Sequence, residues 1–214
     1  MGFLTVFFVL HGYADATPNE DTEFLEDLFP DEEVIGLNYP FHPVDAETYL
    51  RATIQTHLDD RLSDTPIIFT GISLGGFWSW QCANWFDGAA ILINPSLKPW
   101  KTLKELAGTF KIKRSQERFT FTYQDAEAYE AYKDLNPDLP ILALLDAGDK
   151  RLNNFETRER LEPFATVRLF EGGSHAFEHR EEAREDVLHF YEQLKRDRAH
   201  AQAKMPSMSL TLRR

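Results

Sequence analysis

Six short runs rich in Val, Ile, Leu and Phe punctuate the chain at Phe3–Leu10, Val34–Leu37, Pro66–Thr70, Ala89–Asn94, Ile141–Asp146 and Thr166–Phe170, without polar alternation. A strand of that kind is covered on both faces, the situation of a parallel sheet between helices. Helix-like stretches lie between the runs, at Glu20–Leu28, Ala46–Leu62, Leu74–Phe86, Phe155–Glu162 and about Glu181–Lys195. Strand and helix alternate, which predicts an α/β protein: a three-layer α/β/α sandwich with a mostly parallel sheet and right-handed crossovers. With 214 residues in all, a single domain over residues 1–194 is expected.

One interval is too long for a single crossover helix. Residues 96–139 therefore read as a lid-like insertion; they hold Trp100, Phe110, Phe119, Phe121, Tyr123, Tyr129 and Tyr132 beside Lys111, Lys113 and Arg114. Such aromatics either wall a pocket or simply pack on the sheet. Residues 195–214 form a basic tail, with six Lys and Arg against Asp197, net +5, so that the formal charge of −12 leaves −17 on the body. Within this tail Met208, Leu210 and Leu212 alternate with polar residues, which suits either a frayed terminus or a strand-like segment meeting a sheet edge.

The acidic body repels a phosphate backbone, so nucleic acid is not an expected partner. A lone cysteine, Cys82, allows no internal disulfide and falls short of Cys–His metal patterns, which points to a reducing, cytoplasmic setting. Phe3–Leu10 is too short to span a bilayer and lacks the flanks of a signal peptide. Gly2 is not followed by the Ser or Thr that myristoylation needs, because position 6 is Val6.

The chemistry concentrates at Gly71-Ile72-Ser73-Leu74-Gly75-Gly76, between the run ending at Thr70 and the helix opening at Leu74. From the content of Gly and Ser, a G-x-S-x-G is expected by chance only about 0.02 times in a chain of this length. A serine on a sharp strand-to-helix turn needs glycines on either side, and the helix start directs free N–H groups at developing negative charge. A hydroxyl also needs a histidine base and a carboxylate to orient it, here in the chain order Ser, Asp, His. Candidates follow the last two runs: Asp146-Ala147-Gly148-Asp149, and Glu171-Gly172-Gly173-Ser174-His175. Asp149 is favoured over Asp146 because Gly148 turns the chain outward before it, leaving Asp146 to shape the loop. His175 alone among the seven histidines combines a strand end, a preceding Gly-Gly and a following helix. Backbone N–H groups of Tyr13, after the first strand, and of Leu74 are the expected oxyanion donors. His11 reads as a structural histidine, His42 as a possible pocket residue, and His179, four residues past His175, as no metal ligand. Cys82 is expected in the core.

Together these residues resemble an α/β-hydrolase, and more narrowly the small YqiA/YcfP-type esterases, over roughly Phe3 to Leu194. The carriers are Leu10-His11-Gly12-Tyr13, Gly71 to Gly76, Ile93-Asn94-Pro95-Ser96, Ala147-Gly148-Asp149 and Glu171 to Phe177. The resemblance implies Ser73 as nucleophile, Asp149 as orienting acid, His175 as base, and Tyr13 and Leu74 as oxyanion donors. It implies hydrolysis of a small-molecule ester or thioester through an acyl-enzyme, without a cofactor. Lys150–Asn154 departs from that family in being basic and amidic, which bears on substrate preference. Acyl transfer or peptide cleavage on the same triad, and a non-catalytic binding module on the same scaffold, are the alternatives.

Overall fold

The computed structural model describes residues 4–59, 61 and 65–204. Six strands form one sheet in the order β2-β1-β3-β4-β7-β8: β1 (Val6–Leu10), β2 (Glu33–Leu37), β3 (Ile67–Ile72), β4 (Ala89–Ile93), β7 (Ile141–Asp146) and β8 (Thr166–Phe170). Every neighbouring pair is parallel. The helices of the domain are α1 (Glu20–Leu28), α2 (Pro43–Leu58), α3 (Leu74–Phe86), α6 (Asn154–Leu161) and α7 (Arg184–Lys204).

Period-two side-chain direction divides β1 between two cores. Val6, Phe8 and Leu10 face α2 and α3, among Leu50, Ile54, Phe77 and Trp78. Phe7 and Val9 face α1 and α7, among Leu25, Val187 and Tyr191. Covered on both sides, β1, β4 and β7 are buried throughout, so the uninterrupted apolar runs and the three-layer architecture have one cause. α3 is buried from Leu74 to Ala83 and contains Cys82 in the core, where burial pushes its thiol well above the usual range.

Several boundaries differ from the sequence reading. α2 begins at Pro43, not Ala46, because proline is pre-organised for the first helical position and His42 provides an extended N-cap. It ends at Leu58, and Leu62 lies outside the described residues. α7 begins at Arg184, because residues 174–181 are instead tied down as a loop around β7, and it runs to Lys204. The first half of the basic tail is therefore helical; Met208, Leu210 and Leu212 lie outside the described residues, as does Gly2.

The insertion contains α4 (Pro99–Thr102), an antiparallel hairpin of β5 (Gly108–Lys111) and β6 (Arg118–Phe121), and α5 (Tyr123–Ala128). Its aromatics divide by position. Phe121 and Tyr129 are buried in the α2–α3 core, and the Tyr129 hydroxyl donates to the Phe41 carbonyl at 2.9 Å. Phe110, Phe119 and Phe121 surround the Tyr13 ring, which closes the end of β1. Among the described residues no helix is long and apolar enough to cross a membrane.

Candidate active site

The chain leaves β1 for β2 on one side of the sheet and later occupies β3 on the other, so the loops after β1 and β3 diverge at a switch point. Ser73 sits there with φ 56° and ψ −114°, a conformation disfavoured for any residue with a Cβ and kept only where surroundings over-determine it. The surroundings do so. Ser73 N–H donates to the Ile93 carbonyl at 2.9 Å, and its own carbonyl accepts from Ser96 at 2.9 Å and Phe77 at 3.3 Å. Gly75 lies so close to β1 that a Cβ there would overlap the Leu10 carbonyl oxygen. Glycine at this point lets α3 dock on the strand and holds the serine at its N-terminus.

Residues Gly12, Tyr13, Ser73, His175 and Leu152 line one cavity of about 1070 Å³. A Cβ built on Gly12 would stand 3.7 Å from the Ser73 Cβ, so the β1 loop runs directly beside the elbow. Leu74 opens α3, and its N–H is one of those a helix leaves without an intrahelical acceptor. Its side chain is buried in the core.

β7 and β8 are paired with Asp146 opposite Phe170, so their exit loops leave the sheet together. Gly148 N–H donates to the Gly172 carbonyl at 2.6 Å, which continues the pairing beyond the strands. His175 Nδ1 is then 2.7 Å from Asp149 Oδ2, with the histidine side chain 22% exposed and the aspartate fully buried. Burial opposes ionisation of Asp149, but its hydrogen bonds with His175 and with the Arg151 and Leu152 amides prevail and hold its carboxyl below the usual value.

Asp146 has a different task. Its side chain is fully buried; Oδ2 accepts from the Ser174 and Glu178 amides at 3.0 and 2.8 Å, and Oδ1 lies 2.7 Å from His179 Nδ1. His179 stacks on Phe170 with centroids 5.2 Å apart. Gly173, at φ 71°, abuts this carboxylate, leaving no room for a Cβ. Asn94, at φ 38° after β4, bridges the other side: Nδ2 donates to the Ser174 and His175 carbonyls at 3.0 and 3.3 Å, and Oδ1 accepts from the Asp146 amide at 2.8 Å and Asn154 Nδ2 at 2.7 Å. The His175 loop is thus held by Asp146, His179, Asn94 and Asn154. Sequence reasoning placed Asp146 in the loop but missed the other three; an Asn directly after a buried strand and a His four residues past His175 were the available signals.

His42 faces a second cavity, of about 890 Å³, lined by Tyr39, Phe41, Arg118 and Asp125 and not by Ser73. It lies 3.7 Å from Asp45 and 3.4 Å from Asp125. His11 is 1% exposed; its Nδ1 lies 2.9 Å from the Gly12 carbonyl, and its ring stacks on Tyr39 at 4.2 Å. Burial pushes this imidazole down from 6.5 to about 4, against the Gly12 carbonyl and Asp15. The His11 contribution to stability is complete above pH 6.5, where both states are neutral, and is lost as pH falls toward about 4, because only the unfolded chain takes up the proton. The loss is about 3 kcal/mol. Urea denaturation of wild type and His11→Gln at pH 7, 5.5 and 4 checks this: the variant should lose less stability over the range, and parallel losses would count against it.

Among the described residues no group of three or more His, Cys, Asp or Glu side chains is placed to hold a metal ion.

Comparison with solved structures shows the α/β-hydrolase fold. Est1E from Butyrivibrio proteoclasticus aligns with a TM-score of 0.71 at 15% identity, covering 89% of this chain and 88% of that one. Alpha/beta hydrolase domain-containing protein 10 from mouse aligns with a TM-score of 0.65 at 13% identity, over 91% and 92% of the two chains. Among relatives by sequence, a UPF0227 protein of Vibrio parahaemolyticus is 27% identical over 171 residues, 78% of this chain and 89% of that protein. A UPF0227 protein of Pasteurella multocida is 26% identical over the same shares. Residues 7–192, from β1 into α7 and including the elbow and both loops, match the family described as Uncharacterised protein family (UPF0227), and the chain belongs to that family.

Proposed function

We propose that the protein is a serine hydrolase cleaving a carboxylic ester or thioester. The observation that carries this reading is the shared cavity: Ser73, strained at φ 56°, opens into the space that His175 faces while hydrogen-bonded to the buried Asp149. A serine hydroxyl is a weak nucleophile unless a base takes its proton, and a carboxylate at Nδ1 leaves Nε2 free to do so. Similar solved structures include a monoacylglycerol lipase from Paleococcus ferrophilus, with a TM-score of 0.63, and Est1E, whose structure has also been determined with ferulic acid bound.

In this mechanism Ser73 Oγ attacks the carbonyl carbon as His175 Nε2 takes its proton. Negative charge on the carbonyl oxygen rests on the Tyr13 and Leu74 amides. The C–O or C–S bond then breaks, and the leaving alcohol or thiol receives the proton from His175. Water, deprotonated by His175, attacks the acyl-enzyme, releases the carboxylic acid and restores Ser73.

The test is the intact mass of wild type, Ser73→Ala and His175→Ala after treatment with a fluorophosphonate. One adduct mapping to Ser73 is expected in wild type, none in Ser73→Ala, and much slower labelling in His175→Ala. A folded wild type that stays unlabelled would overturn the reading.

A further inference from the structure

The turn after β1, Tyr13-Ala14-Asp15, holds the first of the two oxyanion amides, and few of the bonds that shape it are its own. Ala14 stands at φ 59°, a conformation that costs any residue with a Cβ and persists only where neighbours over-determine it. Within the turn, Asp15 N–H donates to the Gly12 carbonyl at 3.3 Å and Ala16 N–H to Asp15 Oδ1 at 2.9 Å. The other restraints come from the insertion. Lys113 N–H, at the tip of the β5–β6 hairpin, donates to the Ala14 carbonyl at 2.9 Å, and Arg114 lies 3.3 Å from Asp15 and 2.7 Å from Glu20. The Tyr13 hydroxyl donates to the Leu106 carbonyl, 93 residues away, at 3.2 Å. Its ring meets Phe110, Phe119 and Phe121 of the hairpin edge-on, with centroids 5.5, 5.6 and 5.1 Å away, and Phe41 at 5.5 Å.

The dependence runs both ways. The hairpin has two strands of four residues, paired with each other and not with the six-stranded sheet, and a two-stranded ribbon is marginal unless it packs on something else. The Tyr13 ring is at the centre of that packing. The Tyr13 amide, in contrast, has no acceptor among the described residues, and the residue lines the Ser73 cavity. An oxyanion donor stabilises the transition state only if it is in place before charge develops. We infer that the β5–β6 hairpin positions the oxyanion amide: through the Tyr13 ring, the Ala14 carbonyl and Asp15, it holds residues 13–15 where Tyr13 N–H can meet the carbonyl oxygen of an ester on Ser73. Tyr13 is then a positioning residue through its side chain as well as a donor through its backbone. This inference rests on the hydrolase reading.

The experiment compares steady-state hydrolysis of p-nitrophenyl butyrate by wild type, Tyr13→Phe, Tyr13→Ala and Phe110→Ala, each shown to be folded by circular dichroism and each treated with the fluorophosphonate. Tyr13→Ala keeps the backbone N–H but empties the cage. Its kcat should fall about 10²-fold, the effect of losing one oxyanion donor, with KM within about threefold of wild type. Tyr13→Phe keeps the ring and should retain kcat within about threefold. Phe110 lines neither the Ser73 cavity nor the His42 cavity. A fall of about tenfold in kcat for Phe110→Ala, again with KM unchanged, therefore reports the hold of the hairpin and not the cavity wall. Full kcat in Tyr13→Ala or in Phe110→Ala, or losses confined to KM, would overturn the inference while Ser73 labelling leaves the serine hydrolase reading intact. Should Tyr13→Ala not fold, Phe110→Ala decides by the same criterion. A wild type that neither labels at Ser73 nor hydrolyses the ester ends the hydrolase reading, and the inference with it.

Discussion

Ser73→Ala is expected to lower turnover of a p-nitrophenyl ester by at least about 10⁴-fold while leaving the fold in place. Among the described residues the Ser73 side chain makes no hydrogen bond that the scaffold depends on; its backbone is what the elbow uses, through Ile93, Ser96 and Phe77. Alanine retains a Cβ and therefore the same unfavourable φ of 56°. Ser73→Gly should be equally inactive but more stable than Ser73→Ala by about 1 kcal/mol, because glycine adopts that conformation without the Cβ clash. Thermal melts of the two variants beside their ester kinetics provide the check. Retained turnover in either variant would remove Ser73 from the chemistry, and an alanine variant as stable as the glycine variant would show that the elbow stores no strain.

Asp146→Ala and Asp149→Ala are expected to fail in different ways. Asp146→Ala strands the Ser174 and Glu178 amides and His179 Nδ1 around the place of a fully buried carboxylate. Each unsatisfied group costs about 1–3 kcal/mol, so a loss of about 3–5 kcal/mol in unfolding free energy is expected. Activity should fall with it, because those groups hold the loop carrying His175. Asp149→Ala removes the partner at His175 Nδ1; it should depress kcat by about 10³–10⁴-fold with the smaller stability cost. Asp149 itself contributes stability above the unfolded carboxylate value, given up as pH falls through its depressed folded value. The Asp149 variant should therefore lose less stability on acidification than wild type. Equilibrium denaturation and ester kinetics on both variants separate the roles, and a reversed pattern would make Asp146 the orienting acid.

The apolar runs and the elbow were legible in the chain for a physical reason. A strand buried on both faces must be apolar throughout, and a serine on a strained strand-to-helix turn needs glycine beside it, as Gly75 against Leu10 illustrates. Such constraints act within a few residues, so the sequence by itself determined the α/β class, the place of Ser73 and the loops that bear Asp149 and His175. It favoured Asp149 over Asp146 as the partner of His175, through the turn at Gly148, but did not place Asp146 against His179. Asp146 and Asp149 are three residues apart with the same chemistry, and the lateral pairing of β7 with β8, which sets Asp146 opposite Phe170, brings Asp149 to His175 and leaves Asp146 to His179. Asn94 and Asn154 lie 60 residues apart along the chain and 2.7 Å apart in the structure. Contacts of this kind come from packing between distant elements, which carries no local pattern in the chain, and they were decided by the tertiary structure alone.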